Sequence, residues 1–318
     1  MTALRLVRPQ RDAVPVYPTV GDLAQFVGDV IDAQFIVDQQ LRISEGTPHL
    51  QLRFADRTAT VLAFVWPEAE PSVKLPALGG AASVQAEVCE FNGRPQLKVK
   101  RLAPLTAGDV ASVANLLPGI PDKVADALSA MEQTLPGTLH EFLARVLLDA
   151  SIGPAFVSSR ASVSHHHHER GGLLQHSAEN LDLIAEMIRR RLPEEPKSAA
   201  IGQLAYFFHD VGKIRTIGTN ARPALSWAAR HETQNFVVLA PHLQWLEEAD
   251  QEACRALLLI FEYLATPALA RKRPNYFPAE IVAQFDGWSA AEFSHRSLAA
   301  LMHRTAHSDN PAMFSAHF

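Results

Sequence analysis

From about Thr19 to Leu105 the chain runs in short alternations of apolar and polar residues. From Thr106 onward its apolar residues recur every three to four positions. The first period belongs to strands with one buried face, the second to amphipathic helices. Five strands are predicted, at 26–37, 49–54, 58–66, 82–89 and 95–102, with an Asn92-Gly93 turn joining the last two. A helix-like stretch is read near 71–78. Residues 1–14 are polar and arginine-bearing and read as a flexible arm. Helices are predicted over 109–116, 122–133, 138–148, from the Gly171-Gly172 pair to Pro193, and over 198–209, 232–239, 243–265 and 278–285.

Five short strands in one segment suit a small closed barrel of the OB type better than a sheet sandwich. The predicted fold class is therefore α+β and multidomain. It comprises a five-stranded OB-type barrel over 15–106, a helical connector over 107–152 and an all-α helical bundle over 153–318. The length of 318 residues agrees with more than one domain. The hydrophobic fraction of 47% and charged fraction of 20% are those of an ordinary globular protein. The longest apolar run, 256–261, is too short to cross a bilayer, and no apolar leader follows the N-terminal arginines. No membrane partner and a cytoplasmic location are expected. Cys89 and Cys254 stand far apart in apolar surroundings and read as buried thiols. A net charge of −5 excludes a surface coated in basic residues, although a local basic groove remains compatible with it.

Three segments carry candidate chemistry: His166-His167-His168-Glu169-Arg170-Gly171-Gly172-Leu173-Leu174-Gln175-His176, then His209-Asp210-Val211-Gly212-Lys213, then Asp286. Imidazole and carboxylate together are ligands for divalent cations. Neighbouring helical residues point about 100° apart, so His209 and Asp210 reach one ion only near a helix end that faces a cavity. A carboxylate is also unfavourable at a helix C-terminus unless a cation sits there. The competing reading makes His176 a hydrogen-bonded core residue and Asp286 a helix cap.

These segments resemble the HD-domain phosphohydrolase superfamily at His176, His209-Asp210 and Asp286. The blocks "HHHERGGLLQHS", "HDVGK" and "PAEIVAQFDGWSA", behind "HLQLRFADRTATVLAFVW" and "FNGRPQLKVKRLAPL", are similar to the YhaM-type 3′–5′ exoribonuclease family in its own domain order. The resemblance implies one or two divalent ions, Mn²⁺ first, with Mg²⁺, Fe²⁺, Co²⁺ or Zn²⁺ as alternatives. They would be held by His176, His209, Asp210 and Asp286, with His231 where two-metal members place another histidine. It implies that Lys213 holds a scissile phosphate, and that His166 and His167 bind phosphate or shuttle protons. Where the family places a histidine pair, 24 residues before Asp286, this chain has Glu262-Tyr263. Glu262 can itself ligate a hard cation.

The partner implied is single-stranded RNA or DNA, with self-association left open. On the barrel, Arg94, Lys98, Lys100 and Arg101 give the last strand a basic face. Such a face beside the aromatics Phe64 and Trp66 can carry a single strand. The alternative is an edge strand that uses lysine against aggregation. Arg271-Lys272-Arg273 is a second candidate for nucleic acid, whereas Arg189-Arg190-Arg191 reads as a solvated helix end. The leading function is a metal-dependent phosphodiesterase that degrades single-stranded nucleic acid. A nucleotide phosphohydrolase would leave the barrel without a role, and two competitors remain beside it. One is a relaxase domain of the TraI (MobH) type, and the other a nucleic-acid-binding module with a degenerate site.

Overall fold

A computed structural model describes residues 17–41, 49–164, 167–219, 223, 228–289, 291 and 295. The arm expected over 1–14 lies outside these. The chain divides into two compact units, 1–129 and 130–318.

The first unit is built on a closed barrel of five strands: β1 (Val30–Leu41), β2 (Leu50–Ala55), β3 (Thr60–Val65), β4 (Ala81–Phe91) and β5 (Arg94–Pro104). Their order round the barrel is β1-β2-β3-β5-β4. The pairs are antiparallel except β3 with β5, which is parallel, the arrangement of an OB-type barrel. Alternation sends Phe35, Val37, Leu52, Phe54, Val61, Val65, Val84, Val88, Leu97 and Val99 inward. Alanines at 33, 63, 82 and 86 keep the interior narrow enough to close. The hairpin between β4 and β5 turns on Asn92 and Gly93, both with positive φ (53° and 73°), as the right-handed strand twist requires.

Two expectations are corrected here. The strand foreseen from Phe26 starts at Val30, because Val20–Phe26 forms a 3-10 helix. Thr19 and Asp22 cap that helix, and it plugs the barrel with Val20 and Leu23. Gly28, at φ 93, then turns the chain into β1. The stretch near 71–78 is not helical. A 3-10 turn at Pro67–Ser72 gives way to extended chain that bridges Val73 to Leu102, since the prolines there supply no N–H to a helix. After the barrel come α1 (Val113–Leu116) and α2 (Asp122–Thr134). Buried Gln34 on β1 ties the connection down, donating to the Asp109 carbonyl and accepting from the Ala111 N–H.

The second unit is helical: α3 (Gly137–Leu147), α4 (Gly153–Ser158), α5 (Gly172–Ala178), α6 (Leu181–Arg191), α7 (Pro196–Phe208), α8 (Lys213–Thr216), α9 (His231–Ala249), α10 (Gln251–Ala265) and α11 (277–289). Every residue of α7 from Ser198 onward is buried, as a helix apolar on all sides demands. It packs against α3, α5, α6 and α10. The single helix foreseen from Gly171 to Pro193 is broken into α5 and α6 at Asn180, whose φ of 60° asparagine tolerates better than most residues. Conversely, α9 continues through Pro241, where the sequence suggested a break. Pro241 lies on the exposed side, where solvent can take the carbonyl it frees. The break falls instead at Asp250, whose carboxylate caps α10 through the Ala253 N–H. No helix among the described residues is long and apolar enough to cross a membrane.

Candidate metal centre and nucleic-acid face

Two glycines set the backbone of the centre by close approach. A Cβ on Gly172 would stand 2.2 Å from the His167 carbonyl oxygen. Its absence lets the loop fold onto the start of α5 and brings the His167 and His176 rings to 5.7 Å between centroids. His167 sits at φ 54, a conformation unfavourable by roughly 1–2 kcal/mol for a residue with a Cβ. Its carbonyl is held by the Ala161 N–H at 2.9 Å. A Cβ on Gly212 would stand 2.1 Å from the His231 carbonyl oxygen, so glycine there admits the start of α9 beside the turn after α7. Asn235 locks that turn. Its amide donates to the His209 carbonyl, and its Oδ1 accepts from the Gly212 N–H at 2.7 Å.

Four side chains converge on this scaffold. Asp210 Oδ2 lies 3.4 Å from both His176 Nε2 and His209 Nε2. Asp286 Oδ1 lies 3.2 Å from His209 Nε2 and 3.7 Å from His176 Nε2. One ligand atom from each of the four lies within 4.8 Å of all the others. His209 turns Nε2 inward because its Nδ1 meets the Tyr206 carbonyl oxygen at 2.5 Å, and the Tyr206 ring stacks on it. His231 Nε2 reaches the other Asp210 oxygen, Oδ1, at 3.1 Å, and the Lys213 ammonium pairs with Oδ2. His176, His209 and Asp210 are buried, while the Asp286 side chain is 47% exposed and marks the open side.

The charges follow from this packing. Burial works against the Asp210 carboxylate. The His209 and Lys213 charges, with hydrogen bonds from His176 and His231, nonetheless hold it well below the usual carboxylate range. Asp286 is held low in the same way by the His209 charge and by hydrogen bonds from His176 and His209. Burial depresses His209, but the two carboxylates outweigh it and raise the imidazole to about 9. Two ionised carboxylates thus stand in a buried cluster of histidines. Donor separations of 3.2–3.7 Å are the edges of a coordination sphere with bonds of roughly 2.0–2.3 Å if tetrahedral and roughly 2.3–2.6 Å if octahedral. The residues present therefore fit a divalent cation.

The remaining predicted residues divide. His166 lies outside the described residues. His167 Nε2 pairs with Glu179 Oε1 at 3.1 Å, and this hydrogen bond raises its pKa against the opposing effect of burial. His167, His176 and Glu179 form a second group able to hold an ion. Glu262 is exposed on α10 and joins neither group among the described residues, because the helix turns its Ile260, Phe261 and Leu264 side inward. Arg271 folds back onto the end of α10, donating to the carbonyls of Thr266 and Leu264 at 2.9 and 3.0 Å over the Tyr263 ring. Lys272 and Arg273 are exposed.

On the barrel, Phe64 pairs laterally with Gln51 on one side and Lys98 on the other. His49 meets Phe64 edge-on and lies tilted against Trp66, with centroids 5.2 and 4.7 Å away. Lys98 is exposed, Lys100 pairs with Glu87 at 3.4 Å, and Arg94 is exposed at the hairpin. Sequence reasoning set His49 aside and missed Glu179, Asn235 and Ser289. The signal for Glu179 was its three-residue spacing from His176, which places both on one side of a helix. Nothing in the sequence marked Asn235 or Ser289.

The chain matches no family profile. It is similar to curated proteins named 3′–5′ exoribonuclease YhaM. One, from Halalkalibacterium halodurans, is 24% identical over 204 residues, 62% of each chain. Others, from Shouchella clausii and Bacillus pumilus, are 24% and 22% identical over 198 and 201 residues. These matches span 60–63% of the relatives' length. Solved structures similar to part of the chain include an OB domain from Methanosarcina mazei (TM-score 0.23, 20% identity, 25% of this chain and 75% of that one). Another is a replication protein A heterotrimer bound to single-stranded DNA (TM-score 0.20, 13% identity, 24% of this chain and 57% of that one).

Proposed function

We propose that this protein is a cytoplasmic, divalent-metal-dependent phosphodiesterase of the HD type that shortens single-stranded nucleic acid from its 3′ end, as the exoribonucleases it resembles are named for doing. The observation that carries the reading is the convergence of His176, His209, Asp210 and Asp286 into one donor set beside Lys213.

His176, His209, Asp210 and Asp286 would hold the ion. Such an ion supplies Lewis acidity to the attack of water on phosphorus. His231 fixes the Asp210 carboxylate from its far oxygen. Lys213, paired with Asp210, would turn its ammonium to a phosphate oxygen of the substrate. His167, whose pKa the Glu179 hydrogen bond raises, would give a proton to the departing 3′-oxygen. The barrel face of His49, Phe64, Trp66 and Lys98 gathers the strand by stacking and charge.

His209 must lose a proton before Nε2 can ligate. Apparent Mn²⁺ affinity should therefore climb with pH until about 9 and fall up to tenfold per unit below it. Calorimetric titration in buffers of different ionisation enthalpy reads that proton release directly. An affinity flat between pH 6 and 9 would show that His209 is not a ligand.

The function is tested by incubating the protein and Mn²⁺ with 5′-labelled single-stranded RNA and DNA. A ladder shortening stepwise from the 3′ end is expected, and chelation should abolish it. Nicking at one internal sequence would instead favour the relaxase reading. Tight binding without cleavage under any divalent metal would leave a binding module.

A further inference from the structure

Between α6 and α11 lies a groove of about 690 Å³, within the ~300–1,000 Å³ of sites that take small organic ligands. One wall is a single stripe of α6. Asn180, Leu183, Met187 and Arg190-Arg191 recur at helical spacing, about 16 Å from end to end. The other wall is Phe285, Trp288 and Ser289 of α11.

We propose that this groove holds a nucleotide of the substrate strand beside the metal centre, its base on Trp288 and its phosphate at Arg191. The proposal rests on the nuclease reading above and names how that site grips its substrate.

Position comes first. Looking down α11, Trp288, Phe285 and Ser289 fall at about 300°, 0° and 40°, and Asp286 at about 100°. The groove and the open side of the metal centre are therefore neighbouring faces of one helix. Ser289 stands between them, its hydroxyl 3.4 Å from His176 Nδ1 and 3.5 Å from Glu179. Chemistry comes second. Trp288 is 55% exposed and Leu183 52%, and the Trp288 ring is braced by Phe285 at 4.9 Å. A large exposed aromatic ring is a platform for a base of any sequence.

Charge comes third. Glu186, the one acidic side chain lining the groove among the described residues, is taken up by Arg190 at 2.6 Å and Arg189 at 3.4 Å. Arg191 has no ion pair among the described residues. The groove thus runs from Asn180 and Ser289 beside the metal centre, past apolar Leu183, Met187, Phe285 and Trp288, to arginine at its far end. That order suits a base followed by the phosphate leading away from the cleaved bond. The arginine triplet, read from sequence as a solvated helix end, acquires a partner of opposite charge.

The test uses full-length protein and a short 5′-labelled oligoadenylate. Binding is measured by anisotropy with EDTA present, and cleavage is measured with Mn²⁺. Trp288→Ala and Arg191→Glu should each weaken binding about tenfold and raise KM far more than they lower kcat. Trp288→Phe should restore most of both. Unchanged affinity and KM in both variants would overturn the groove, whether or not the wild type cleaves. So would variants whose only change is in sedimentation, since the groove would then be covered by a second copy. If Trp288→Ala weakens binding in a protein that cleaves nothing, the groove stands and the nuclease reading falls.

Discussion

Asp210→Asn is expected to lower metal-dependent cleavage by about 10³-fold or more, the equivalent of some 4 kcal/mol of barrier. Among the described residues, an ammonium and three imidazoles surround this carboxylate. His176, His209 and Lys213 approach Oδ2, and His231 approaches Oδ1. An amide carries no negative charge whichever way it flips, and with its oxygen on Lys213 it turns its NH₂ toward His231. The centre then loses a negative ligand. The metal-free variant should also lose about 3 kcal/mol of stability, because the Lys213 ammonium and a protonated His209 keep no full counter-charge. His209, raised to about 9 by both carboxylates and left with Asp286 alone, sheds its proton at a lower pH than in the parent protein. The stability loss should accordingly shrink between pH 6 and 8. Calorimetric metal titration and denaturant unfolding in EDTA check both parts. A variant that still binds Mn²⁺ and cleaves would remove Asp210 from the centre.

Gly212→Ala has the second largest expected effect. Gly212 has φ −61, ordinary helical backbone, so an alanine pays no conformational penalty there. The cost is contact alone. The new methyl would meet the His231 carbonyl at 2.1 Å, the Asn235 N at 2.8 Å and its Oδ1 at 2.9 Å. Two of these atoms are backbone and cannot swing aside, so the start of α9 must retreat. That withdraws His231 from Asp210 and loosens the Asn235 lock on His209. About 3 kcal/mol of stability should go, and cleavage should fall with it. Gly171→Ala is the contrasting case. Its φ of 82° makes an alanine unfavourable by about 1 kcal/mol, yet the nearest atom is 3.4 Å away. Thermal unfolding of the two variants separates crowding from backbone strain. Equal losses would mean that α9 does not depend on the close approach at Gly212.

The barrel was legible because period-two alternation is a local signal. Each inward residue, from Phe35 to Val99, declares its face by its neighbours two positions away. The plug at Val20–Phe26 was not legible, since its capping pair Thr19 and Asp22 sits in a stretch with too little periodicity to separate a short 3-10 turn from a strand. The break at Asn180 escaped for a related reason. The apolar spacing of α5 continues into α6, and only the backbone shows the left-handed residue between them. Pro241 misled in the opposite direction, because a proline on a solvent-facing turn can be accommodated within a long helix.

Of the candidate centre, the sequence by itself offered the candidate ligand types and the turn glycines beside them, because these are properties of residues and their near neighbours; the close approaches at Gly172 and Gly212 came from the structure. It also named Glu262 and Arg271, residues of suitable chemistry whose destinations it had no means of reading. Only the tertiary structure decided that α10 turns Glu262 outward and that Arg271 closes its own helix. The same holds for Asn235 and Ser289, distant in the chain, which hold His209 and touch His176. The physical reason is the range of the interactions. Periodicity and capping act over a few residues, whereas a coordination site is fixed by contacts between helices whose separation along the chain carries no pattern.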